Sequence, residues 1–129
     1  MNSVVGDGAV YAQLARGVRC AEDTLTLVDL SPSTIWMSPA PRSLWFLPTG
    51  AFLDRWDEAQ PADTSARRIQ GTLALLDADS QLTGDARLML SRPRMTATGL
   101  TYDVEVQTGL LPSKSGACVL FLEWDSPPT

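Results

Sequence analysis

The stretch LTYDVEV, residues 100–106, alternates apolar and polar side chains without a break. Leu100, Tyr102, Val104 and Val106 share one side, while Thr101, Asp103 and Glu105 share the other. A two-residue period marks a β-strand with one face in a core and one in water. The same reading spreads outward along the chain. In TLTLVDL (24–30), Leu25 and Leu27 oppose Thr24, Thr26 and Val28; in ARLMLS (86–91), Ala86, Leu88 and Leu90 oppose Arg87, Met89 and Ser91. ACVLFLEW (117–124) is apolar at odd and even positions alike, which predicts a central strand covered on both faces. IQGTLALLD (69–77) is a further strand, with Gly71 read as the mark of a bulge. AVYAQLARGVRC (9–20) reads as a first strand kinked at Gly17, although its alanines also suit a helix.

Turn chemistry separates these segments. DADSQLTGD (77–85) and LPSKSG (111–116) carry the Asp, Ser, Pro and Gly of tight connections. Many short strands joined in this way predict an all-β domain, an antiparallel β-sandwich or flattened barrel. One segment, PTGAFLDRWDEA (48–59), departs from the pattern. Phe52, Leu53 and Trp56 share a helical face, Asp54, Arg55, Asp57 and Glu58 lie outside it, and Thr49 can N-cap. A short helix around residues 49–58 is therefore expected to plug one end of the sheets. The polar AQPADTSARR (59–68) follows as a loop with Pro61. No internal repeat or second domain is visible, so residues 1–129 are expected to form one domain, frayed at about 1–8 and 125–129. A domain of this length buries roughly two-thirds of its unfolded surface, enough for a core of its own.

Composition closes off several chemistries. Apolar residues make up 44% and charged residues 19%, a globular balance. The net charge is −5, and no basic cluster extends beyond Arg67-Arg68, which argues against nucleic acid and against an anionic membrane surface. No apolar run approaches the ~20 residues of a membrane span. MNSVVGDGAV lacks the basic and apolar regions of a signal peptide. With no histidine, a Ser-His-Asp triad, a His-paired cysteine nucleophile and His-ligated metal are all ruled out; carboxylates leave a hard cation such as calcium open, but no cofactor and no metal site is assigned. Cys20 and Cys118 have no CxxC spacing. They could pair in an oxidising compartment, but free cysteine is usually buried, and two separate thiols are preferred over a disulfide.

Against this background LSPSTIWMSPAPRSLWF (30–46) stands out, with Trp36 and Trp45 in a segment interrupted by Pro32, Pro39 and Pro41. It reads as a short strand TIWM, a turn centred near Pro39 to Pro41, and a second apolar run SLWFL, so that the two indoles approach each other. One reading puts Ile35, Met37, Leu44 and Phe46 in the core and the indoles at the rim. The other makes the indoles an aromatic cleft or docking patch, with Arg42 and Trp56 as further binding candidates. Asp54, Asp57 and Glu58 on the helix and Asp103 and Glu105 on a strand are candidate acid–base pairs; all occupy the wet side of their elements, where carboxylates normally only solvate a surface. Arg92 and Arg94, like Arg42, flank proline-containing turns and most simply pair with the excess acid. No residue is assigned a catalytic role.

Four pieces of the chain in order carry a resemblance: Ser31-Pro32-Ser33-Thr34-Ile35, then Phe52 and Trp56, then RPRMTATGLTYDVEV, then LLPSKSGACVLFLEW. Together, from about Tyr11 to Trp124, they resemble a family of small uncharacterised bacterial proteins. Its members carry an SPSTI-aromatic-FSDRP block and a closing LPxxxGxCxLFID strand. The resemblance implies no particular activity; because many members are exported, it implies a periplasmic or cell-surface location. Cys118 falls on the family's late cysteine and Cys20 on no family position. Ser38-Pro39-Ala40-Pro41 replaces the family's charged turn, and prolines can lock that turn by fixing φ.

Three functions follow as expectations. The first is a non-catalytic module that binds a small molecule or protein through Trp36 and Trp45. The second is an enzyme using carboxylates at a barrel mouth, which requires a deep cavity beside a buried acid. The third is a self-associating structural protein, such as a homodimer.

Overall fold

The computed structural model describes residues 8–39, 41–58 and 67–124. Residues 59–66 of the expected polar loop at 59–68, and residues 1–7 and 125–129 of the expected frayed ends at about 1–8 and 125–129, lie outside the described residues. Nine strands and one helix follow in order: β1 (Val10–Ala21), β2 (Thr24–Leu30), β3 (Ser33–Pro39), β4 (Arg42–Pro48), α1 (Thr49–Glu58), β5 (Arg68–Leu76), β6 (Leu82–Met95), β7 (Gly99–Gly109), β8 (Lys114–Ser115) and β9 (Cys118–Leu122). The domain is all-β with one short helix, as the alternation predicts. AVYAQLARGVRC is strand throughout, not helix.

A single antiparallel sheet closes on itself. Each strand in the cycle β1-β2-β7-β6-β5-β9 pairs with the next, and β9 returns to β1. Closure removes the exposed edges that a flat sheet would leave. The interior is filled by the positions that alternation marks: Leu25, Leu27, Leu73, Leu88, Leu90, Leu100, Tyr102, Leu120 and Leu122 are all buried. Gly71 does not mark a bulge, because the β5–β6 register shifts only at Leu75/Leu76. A Cβ on Gly71 would stand 2.6 Å from both Phe121 O and Leu90 Cδ1, so the glycine serves close strand approach. A further register shift between Ser91 and Arg94 accommodates Pro93, which has no N–H for the ladder.

Helix α1 caps one end of the barrel. Phe52 and Trp56 are buried among Tyr11, Tyr102 and Trp124, with ring centroids 5.3 Å (Tyr11–Phe52), 6.1 Å (Trp56–Tyr102) and 5.9 Å (Trp56–Trp124) apart. Thr49, expected to cap its own helix, instead ties the helix start to the β2–β3 junction. Its amide donates to Pro32 O at 3.0 Å, and its hydroxyl lies 3.0 Å from that of Thr34.

β1 is long enough to take two partners on one side. Residues 15–21 pair with β2, and residues 10–12 pair with β3. Beyond the bend at Ser31-Pro32, β3 therefore leaves the barrel and forms a hairpin with β4. This hairpin is a wing of the sheet, and β4 is its terminal strand.

Candidate functional site

The wing holds the candidate residues of LSPSTIWMSPAPRSLWF (30–46), and its register determines where each points. The prolines bound the strands; they do not break them into a loop. Pro39 pairs with Arg42 across the tip and Ser33 with Pro48 at the base. Trp36 and Trp45 are direct cross-strand partners, and Tyr11 pairs with Trp36 from the other side. Opposed residues share a face, and Tyr11 faces the core, so both indoles are on the inner face. Trp36, next to the barrel, is only 6% exposed; Trp45, one strand further out, is 45% exposed. The indole Nε1 atoms of Trp36 and Trp56 are buried without a hydrogen-bond partner among the described residues.

The outer face follows from the same register and reverses one expectation. Ile35, Met37, Leu44 and Phe46 point away from the core, with Leu44 58% and Phe46 64% exposed. They continue an apolar outer surface across four strands. One row runs Phe121–Ala12–Ile35–Phe46 and the next Val10–Met37–Leu44. Val119 and Phe121 of β9 are half-exposed on this surface, so β9 is central but not covered on both faces. Arg42 and Pro39 lie one row beyond Leu44 and Met37, at the tip.

An open groove of ≈ 590 Å³ forms where Gly8 and Val10 approach the hairpin, walled by Met37, Pro39, Arg42 and Leu44. A second groove, ≈ 640 Å³, runs along Leu14, Leu30 and Pro32 and contains both Arg16 and Asp29. Of the four binding candidates, Trp45 and Arg42 therefore meet solvent. Trp36 is a wing-base residue, and Trp56 is a core residue, only 1% exposed. Leu44 and Phe46, which one of the two readings of the sequence placed in the core, replace them on the surface.

The carboxylates are engaged elsewhere. Asp103 accepts from Arg92 at 3.2 Å and Arg94 at 2.9 Å; Arg87 meets Glu123 at 3.2 Å; Arg68 pairs with Glu105. Asp54, Asp57 and Glu58 are exposed on α1. Among the described residues, no three His, Cys, Asp or Glu side chains gather closely enough to hold a metal ion. None of the described helices is long and apolar enough to cross a membrane.

A buried polar chain belongs to the core. Tyr102 Oη donates to Gln13 Oε1 at 2.5 Å, and Gln13 Nε2 donates to Thr34 Oγ1 at 3.3 Å. Thr34 then meets Thr49 at the helix start. Burial pushes the Tyr102 hydroxyl well above its ordinary range, outweighing the hydrogen bond to Gln13. Cys20 and Cys118 are both free thiols. Burial, with Cys20 nearby, pushes the Cys118 thiol up to about 11, which makes it an unreactive group.

No family model, curated protein or solved structure matches this chain.

Proposed function

We propose that this protein is a non-catalytic binding module that takes an extended segment of a partner protein onto the free edge of β4. The observation that carries this reading is that the sheet's terminal strand exposes three consecutive large apolar residues, Leu44, Trp45 and Phe46. Soluble proteins normally protect such an edge with charge, irregularity or a covering element. From Ser43 to Pro48 this strand carries no charge. A strand added there would gain main-chain hydrogen bonds along the edge and side-chain burial on both faces. The arginine pairing of Asp103 and Glu105 and the exposure of Asp54, Asp57 and Glu58 support a binding role over acid–base chemistry.

The test uses a synthetic peptide copying Arg42–Pro48, with lysines added at its ends for solubility. Saturable binding, with a blue shift of Trp45 emission and slowed exchange of β4 amides, is the expected result. No change in either signal at millimolar peptide would overturn the reading. An antiparallel pair centred on Trp45 would place Leu44 of one copy opposite Phe46 of another, so the edge is also complementary to itself. Sedimentation across a concentration series shows whether a second copy is the strand donor.

A further inference from the structure

The groove at the wing tip sets one cation, Arg42, among described lining residues that include no carboxylate. Arg68, Arg87, Arg92 and Arg94 are each paired with a carboxylate. Arg55 and Arg67 stand over the Trp124 ring, at 5.6 and 4.9 Å. Arg16, Arg19, Arg42 and Lys114 form no ion pair with a described carboxylate; the first two and Lys114 line grooves that Asp29 also lines, whereas the groove of Arg42 has no carboxylate among its described lining residues. Arg42 is exposed at one end of a groove whose other walls are mostly apolar, Val10, Met37, Pro39 and Leu44, with Ser38 and Ser43 beside them. The groove is shaped by backbone. Gly8 has φ +79°, and a Cβ there would lie 3.0 Å from Pro39 Cγ, so the segment before β1 passes close against the hairpin tip. The ≈ 590 Å³ space lies within the range of small-molecule sites.

We infer that this groove binds a free amphipathic carboxylate, its head group on the Arg42 guanidinium and its aliphatic tail along Val10, Met37 and Leu44. A guanidinium presents a planar fork of donors that matches a carboxylate. The apolar row next to it takes the tail. From Arg42 to Phe46 the strand runs five residues, a span of about 13 Å, enough for a medium-length chain lying along the wing. A single cation at the groove selects a monoanion. The net charge of −5 disfavours an anionic bilayer as the source, so the ligand is the dissolved amphiphile. The inference rests on the groove and Arg42, independently of strand addition at the β4 edge.

Decanoate below its micellar concentration is the probe, followed by amide chemical shifts of the full chain and by calorimetry. One saturable site is expected, with the largest shifts at Val10, Met37, Arg42 and Leu44. Arg42→Gln should weaken binding about fivefold, the order of one exposed ion pair. Leu44→Asp, which places a like charge in the lining, should abolish it. Both substitutions are at exposed positions, and an unchanged urea midpoint confirms that each variant is folded. Decanol, lacking the charged head, should bind wild type and Arg42→Gln alike. Absence of saturable decanoate binding, shifts that map away from the wing tip, or affinity unchanged in both variants would each overturn the inference. So would co-sedimentation with phosphatidylglycerol vesicles in the absence of decanoate binding. Loss of peptide binding at β4 with decanoate binding intact would overturn the proposed function and leave this inference standing.

Discussion

The barrel and the wing are built from the same kinds of residue and put them to opposite uses. In the barrel, Tyr11, Phe52, Trp56, Tyr102 and Trp124 close on one another beneath α1. In the wing, Leu44, Trp45 and Phe46 face solvent. Composition does not separate the two regions. The difference is closure: among the described residues every barrel strand has a neighbour on each side, while β4 has one neighbour and ends the sheet. Apolar surface is covered where the sheet curls round to meet itself, and is left uncovered where β3 departs at the Ser31-Pro32 bend.

The sharpest test of that contrast replaces one indole in each region. Trp56→Ala removes a fully buried ring from between α1 and the barrel, and a loss of about 3–5 kcal/mol is expected from urea denaturation. Trp45→Ala removes a ring already 45% exposed at the sheet's end. Its cost should be a small fraction of the first. Equal losses would mean that the wing is part of the cooperative core, and the contrast would fail.

The buried polar chain gives the next largest effect, because it joins the two regions. Gln13 bridges Tyr102 in the barrel to Thr34 in the wing's first strand. Gln13→Leu leaves the Tyr102 hydroxyl buried without its acceptor, and about 1–3 kcal/mol should be lost. Adding Tyr102→Phe removes the stranded hydroxyl as well, and part of the loss should return. A double mutant no more stable than Gln13→Leu alone would show that this hydroxyl is not what the amide satisfies.

These regions were not equally legible in the sequence. The helix was read at its observed limits because Phe52 and Trp56 recur at helical spacing after a proline. The barrel strands were legible from Leu25/Leu27, Leu88/Leu90 and Leu100/Tyr102, where one face is apolar and the other polar. In SLWFL both faces are apolar, so alternation cannot say which is inside; pairing of Trp36 with Tyr11 decides it. ACVLFLEW shows the same ambiguity, and coverage of its outer face was wrongly expected. Closure was not readable, since it depends on β1 holding different partners along its length. Gln13 was visible as a polar residue in an apolar strand. Its partners, however, lie 21 and 89 residues away, beyond any local pattern.

Alkaline pH should expose the barrel's burial more than the wing's. The Cys118 thiol ionises near its ordinary 9.0 when unfolded and at about 11 when folded. Between those values the unfolded chain binds fewer protons, so stability falls as pH rises. Cys20 and Tyr102 are raised by burial too and act with the same sign. Urea midpoints should therefore drop from pH 8 to pH 10, and Cys118→Ala should lessen the drop. In native protein at pH 8, a thiol reagent should modify Cys118 far more slowly than in urea. Fast native modification would show that the barrel wall at β9 opens readily.

The smallest stability effect is expected on the wing's outer face, where the functional effect should be large. Phe46→Ser replaces an exposed ring, 64% accessible, with a residue that strands tolerate. Surface substitutions of this kind stay within about 0.5 kcal/mol of wild type. The same change removes one of the three side chains that β4 offers to an added strand, so binding of the Arg42–Pro48 peptide should weaken while the urea midpoint stays put. A folded Phe46→Ser protein that still bound the peptide with full affinity would reduce the edge's contribution to main-chain pairing alone. A variant that lost stability instead would place Phe46 in the fold's own packing and shift the boundary between wing and core outward by a strand.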